Sequence, residues 1–133
     1  MVGDDVRALL RDYIDSFECL EVLLLLRREG AAWTAEELSA RLNIRAPLLA
    51  DALASLVRAR LVNITDQKSP VPYTYAREHP VQDAVVGSLD RAYREEPIAI
   101  MQLMSMNAIE RLRTSTIRAF ADAFVVRKDK NRG

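Results

Sequence analysis

Residues 33–62 read WTAEELSARLNIRAPLLADALASLVRARLV, and this stretch decides the fold. Thr34 and Glu37 have the T-x-x-E spacing of a capping box, in which the hydroxyl takes a free amide and the glutamate reaches back. A short helix over 35–42 follows, with Leu38 and Leu42 facing inward. Asn43-Ile44-Arg45 is a turn of the right length to join two helices. Pro47 suits the first turn of the next helix, where its missing N–H costs nothing. That helix runs to about Ala59 and buries Leu49, Ala52, Leu53 and Leu56 on one stripe. Leu61 to Thr65 then switches to period-two apolar spacing, the mark of a strand. Asp66 to Pro70 is polar turn material, and Pro72-Tyr73-Thr74-Tyr75 reads as the returning strand.

Working outward toward the N-terminus, Val6, Leu9, Leu10, Tyr13 and Ile14 recur at helical spacing over 4–14, with Asp4 and Asp5 at the favourable end. Asp15-Ser16-Phe17-Glu18 reads as a further capping box, with Asp15 accepting from the Glu18 amide. The helix after it ends near Glu29, with Gly30 as its stop. Val22 to Leu26 is apolar on every face, so this helix is enclosed on several sides. Trp33 reads as a core plug. Toward the C-terminus, Pro80 restarts helix, and Pro97 ends or kinks it. Gly87 inside that helix points to a close helix contact. Ile98 to Met106 is nearly continuous apolar, and Thr114 to Thr116 read as caps of a last short helix carrying Ile117, Phe120 and Phe124.

The order helix, helix, three-residue turn, helix, hairpin over 17–76 resembles the winged-helix transcriptional regulators of the MarR and ArsR type. The matching residues are the stretch from Trp33 to Leu42, then Leu53, Leu56 and Ala59-Arg60-Leu61-Val62 before the wing. Arg60 stands where that pattern commonly has Gly. The resemblance implies a mainly α fold, a winged helix-turn-helix with a three-helix core, a β-hairpin wing, and flanking N- and C-terminal helices. The expected layout is one domain over 1–133. An N-terminal flanking helix takes 1–15 and the winged helix-turn-helix 16–76. C-terminal helices take 77–125 and a basic tail 126–133.

The resemblance further implies that the helix after the turn probes the major groove and that the wing touches phosphates. The DNA-binding candidates are Arg41, Arg45, Leu48, Ser55, Arg58 and Lys68. The groove-facing set around them (Ala46, Pro47, Leu48, Ala50, Asp51, Ala54) lacks Asn, Gln and Lys, so base readout is expected to be weak. The expected function is a DNA-binding regulator acting as a dimer. The alternative is a winged-helix protein-interaction module that does not read DNA. Double-stranded DNA, a second copy of the chain and a protein partner are therefore the partners to weigh. The dimer seam is expected from Leu9, Leu10, Tyr13, Ile98, Met101, Leu103 and Met104, because the two apolar segments flank the winged helix.

Composition narrows the remaining chemistry. The 133 residues carry 19 basic and 19 acidic side chains, so the chain is no uniformly basic nucleic-acid coat. The tail Arg127, Lys128, Lys130, Arg132 is the one basic cluster. One Cys and one His cannot build a zinc cage, and no metal or cofactor is expected. An enzyme is not expected either. His79 lies in a loop beside Pro80, and adjacent Glu36–Glu37 and Glu95–Glu96 point to different helix faces. No Gly-rich phosphate loop is present. Cys19 reads as a small buried hydrophobe. Met101, Met104 and Met106 read as core or dimer seam rather than an effector pocket. With no secretory signal or membrane-spanning run, a cytoplasmic protein is expected.

Overall fold

The computed structural model describes residues 2–130, with side chains described to residue 124. The elements run α1 (Asp4–Asp12), α2 (Phe17–Glu29), β1 (Trp33–Thr34), α3 (Ala35–Leu42), α4 (Ala46–Arg58), β2 (Val62–Ile64), β3 (Pro72–Tyr75), α5 (Pro80–Glu95) and α6 (Pro97–Lys130). This is the expected mainly α fold with a helix-turn-helix (α3, α4) and a wing (β2, β3).

Local chemistry sets the boundaries. Thr34 Oγ1 accepts from the Glu37 amide at 3.2 Å, and Glu37 Oε1 accepts from the Thr34 amide at 2.9 Å, which completes the capping box of α3. The cap of α2 differs from expectation. Ser16, not Asp15, is the N-cap, and its hydroxyl takes the Cys19 amide at 3.2 Å. Asp15 instead accepts from the Cys19 thiol. Gly30 ends α2 with a φ of 68°, a left-handed conformation that costs glycine little.

The end of α4 shows what Arg60 does. The Leu61 amide donates to the Leu56 carbonyl and the Arg60 amide to the Val57 carbonyl, both at 3.0 Å. That is a Schellman motif, and its pivot must be left-handed. Arg60 has a φ of 62° and occupies the pivot where Gly is preferred. The strand that follows leads into an antiparallel sheet of order β1-β3-β2. Val62 pairs with Tyr75 and Ile64 with Tyr73. The short strand β1, which the sequence reading does not contain, joins the other edge by pairing Trp33 with Tyr73. Trp33 is half-buried there.

Helix α2 is the axis of the core. Its residues Leu20, Val22, Leu23, Leu24, Leu25 and Leu26 are all buried, as are Leu38, Leu53 and Leu56 from the elements around it. Its charged last turn reaches α5. Arg28 donates to Asp90, which is 3% exposed, and Arg27 Nε donates to Asp83 Oδ1 at 3.1 Å. Tyr75 on β3 donates to the same Asp83 oxygen at 2.6 Å, and Tyr93 donates to Glu21 at 2.8 Å. Gly87 makes room for this network. A Cβ there would sit 2.9 Å from an Arg27 guanidinium nitrogen, so the close neighbour is a side chain of α2 rather than a helix backbone.

The C-terminal region departs most from expectation. No break falls at Thr114 to Thr116; α6 runs unbroken for 34 residues. The apolar pattern stays in phase across those residues, so nothing calls for a cap. At 1.5 Å per residue such a helix is about 50 Å long. Its first part packs through Ile100 and Met104 against α1 and α5. From Leu112 to Phe124 every side chain is exposed.

Two expectations follow for stability. Arg60→Gly relieves a left-handed non-glycine residue and should raise the unfolding free energy by about 1 kcal/mol, read by urea denaturation. Asp83 is held below the usual carboxylate range, first by the Tyr75 hydroxyl and then by Arg27. Its contribution is therefore complete above about pH 4 and is lost as the pH falls through its lowered folded value. Asp83→Asn should be less stable than the parent at pH 7, and the gap should close in acid denaturation curves below pH 4.

Candidate nucleic-acid interface and its flanking clefts

The candidate probe is α4, entered from a turn whose Asn43 takes a φ of 55°. Asparagine tolerates that conformation better than most residues. The turn is closed by Ser39, whose hydroxyl donates to the Ile44 carbonyl at 2.6 Å. Arg45 is the N-cap of α4 by backbone geometry and makes no side-chain cap bond. Arg45 is exposed at the N-terminal end of α4.

Arg41, Arg45, Leu48, Arg58 and Lys68 are exposed, and Ser55 is half-buried. None of the four cations has a side-chain partner among the described residues. Other arginines are spent internally. Arg27 and Arg28 hold α5, Arg77 donates to the Arg27 carbonyl, and Arg111 donates to the Asp15 carbonyl at 2.9 Å.

The candidates do not form one cluster. Leu48, Ser55 and Arg58 share a cleft of about 320 Å³ between α4 and the start of α2. Asp15, Glu18 and Asp51 line the same cleft, so Arg58 stands among carboxylates. Arg41 and Arg45 lie on α3 and at the start of α4, and Lys68 lies in the β2–β3 connection. The opposite flank of α4 is different in kind. Ala46, Ala50, Ala54 and Val57 border a cleft of about 680 Å³ closed by α3, Ile64 and Tyr73. This cleft is not among the features expected from the sequence. Its signal was the alanine spacing of four at 46, 50 and 54, which leaves a low wall on one side of the helix.

Cys19 is buried, and desolvation pushes its thiol pKa up, which makes it a poor nucleophile. His79 is exposed at the N-cap position of α5 and makes no side-chain cap bond. Met104 is buried, whereas Met101 and Met106 are exposed on α6. Among the described residues no group of three His, Cys, Asp or Glu side chains is placed to hold a metal ion. Among them, too, no helix is long and apolar enough to cross a membrane. The basic cluster at 127–132 lies outside the residues whose side chains are described.

The residues expected at a dimer seam divide into two sets. Leu9, Leu10 and Met104 are buried inside the protomer, where α1 lies across α5 and α6, and Leu103 is half-buried. That face of α6 is already covered by its own chain. Tyr13, Ile98 and Met101 are exposed. The rest of the outer face of α6 is apolar as well. Ile98, Ile109 and Phe120 recur every eleven residues, as do Met101 with Leu112 and Met106 with Ile117. Eleven residues make about three helical turns, so the members of each series lie one above another, and the three series together make up a broad outer face of α6. All seven are exposed, between 42% and 73%.

No family model matches the chain, and no curated protein matches it. Among solved structures, the adhesin competence repressor AdcR of Streptococcus pyogenes is similar in overall course. The likeness has a TM-score of 0.45 and 17% identity, and it covers 88% of this chain and 87% of that one. A likeness of that size assigns no function.

Proposed function

We propose that this chain is a dimeric winged-helix regulator that holds duplex DNA chiefly by its phosphates and reads bases weakly. The observation that carries this reading is the set of uncommitted cations Arg41, Arg45, Arg58 and Lys68 on the helix-turn-helix and wing. The weak readout follows from the exposed surface of α4. Ala46, Pro47, Ala50 and Ala54 offer no hydrogen bond to a base edge, and Leu48 offers a thymine methyl an apolar contact at most.

The dimer rests on α6. An exposed apolar stripe of this length is unusual on a monomer, and two-fold symmetry lets each copy cover the other's. The seam is drawn along Ile98, Met101, Ile109, Leu112 and Phe120, with Tyr13 beside it, and without the buried Leu9, Leu10 and Met104. Two copies of α4 held about one DNA turn apart would favour a palindromic site.

A second reading, a module that contacts protein through α4, draws on the acidic residues around Arg58 and the apolar cleft on the other flank. One titration separates the two. Binding to random duplex should weaken with salt, and the double change Arg45→Ala with Arg58→Ala should lower the log–log slope by about two units. An unchanged slope assigns α4 to a protein partner. The seam is checked by sedimentation. The parent should run as a dimer, and Leu112→Asp with Phe120→Asp should yield a 15.0 kDa species that keeps its helical signal through α5. A parent that sediments at 15.0 kDa at tens of micromolar removes the dimer.

A further inference from the structure

The inner side of α6 changes character where the helix passes the end of α1. Ile100 and Met104 are buried against the body. The same side of the helix continues through Asn107, Arg111, Thr114 and Arg118, at steps of three and four residues. These residues border a cleft of about 340 Å³, which Arg11 of α1 closes. By helical geometry the cleft lies on the side of α6 turned away from Ile98, Ile109 and Phe120. Its lining carries three guanidinium groups and one carboxylate, Glu110.

Arg111 is the fixed member of the group. Its Nη2 donates to the Asp15 carbonyl at 2.9 Å, which anchors it to the α1–α2 connection. Its Nη1 is closed off from solvent and has no hydrogen-bond partner among the described residues. A buried guanidinium N–H without an acceptor is costly, and an acceptor brought in from outside removes that cost. Arg11 and Arg118 are both exposed. Arg11 meets Asp12 of its own helix at 3.0 Å, and an exposed pair of that kind contributes little. Arg118 has no side-chain partner among the described residues. The hydroxyls of Thr114 and Ser115 add O–H donors to the same lining.

We propose that this cleft binds a small phosphomonoester by its phosphoryl group. A carboxylate has two oxygens, and one guanidinium fork satisfies them. Three guanidinium groups and two hydroxyls exceed that need and match the three terminal oxygens of a phosphoryl group. Three guanidinium groups against one carboxylate also leave two positive charges in the lining, which a dianion cancels. The group enters by displacing the side chains that close over Arg111 Nη1, and Arg11 and Arg118 turn onto it from α1 and α6. The volume exceeds that of a phosphoryl group, so a compact organic group fits beside it along the aliphatic stems of the arginines. An occupied cleft ties α1 to α6 where the longer helix leaves the body. The assignment is independent of the DNA reading, because none of these residues belongs to the helix-turn-helix or the wing.

The test uses the full-length protein without DNA, with phenyl phosphate, phenylacetate and inorganic phosphate as probes at constant ionic strength. The arginine Nε–Hε signals in NMR titrations should shift saturably with phenyl phosphate. Phenylacetate should bind about tenfold more weakly, the scale of one charge-assisted hydrogen bond. Inorganic phosphate should also bind more weakly, because it leaves the rest of the cleft empty. Arg11→Ala and Arg118→Ala should each weaken phenyl phosphate about tenfold while circular dichroism stays unchanged, since both positions are exposed. Arg113→Ala, at an exposed arginine of the same helix outside the cleft, should change nothing. A blunt duplex without terminal phosphates should leave phenyl phosphate bound. The proposal is overturned by shifts that do not saturate, by equal affinity for the three probes, by equal losses at Arg113 and Arg118, or by displacement with duplex.

Discussion

The run Val22 to Leu26 leaves the middle of α2 no polar face, and the rest of the molecule is arranged around that constraint. A helix that must be covered on all sides needs neighbours from both ends of the chain. The winged helix covers it with α3, α4 and β3. The flanking region comes in through charge instead, as Arg27 and Arg28 at its polar end fasten Asp83 and Asp90 on α5. Asp90, at 3% exposure, is met by Arg27, Arg28 and Arg94, so its buried charge is shared among three guanidinium groups. Gly87 belongs to the same constraint, since it clears the space that Arg27 occupies.

With the core spent on α2, the exposed surfaces of α4 and α6 remain, and they differ in kind. Helix α4 presents small residues between an acidic cleft and an apolar one, with cations at its two ends. Nothing on it resembles a rigid reader of base edges. Helix α6 is two-sided. Ile100 and Met104 face the body, and the stripe through Ile109 and Phe120 faces away.

The sequence states the core plainly because its signals are local. The Thr34–Glu37 box, the Asn43 turn and the Leu49–Leu56 stripe each involve residues within one or two turns, and each stands in the structure as read. The wing is legible for the same reason. What was missed depends on distant partners. Strand β1 exists because Trp33 finds Tyr73 forty residues away. At the start of α2, Ser16 takes the Cys19 amide while Asp15 takes the Cys19 thiol. The continuous α6 was hidden by Thr114 to Thr116, which suit a cap in sequence and are equally tolerated on an exposed helix face. The burial of Leu9 and Leu10 could not be told from a seam, because an apolar stripe does not say which chain will cover it. The large cleft was harder still, since its lining comes from α3, α4 and both wing strands.

The spacing along α6 carries one more consequence. Eleven residues over three turns is about 3.67 per turn, slightly more than the 3.6 of a straight helix. A heptad seam has the opposite mismatch and winds to the left. Two copies of α6 closed along Ile98, Ile109 and Phe120 would instead coil gently to the right, nearly straight over their shared length. The handedness of that crossing is thus written into the interval between three side chains.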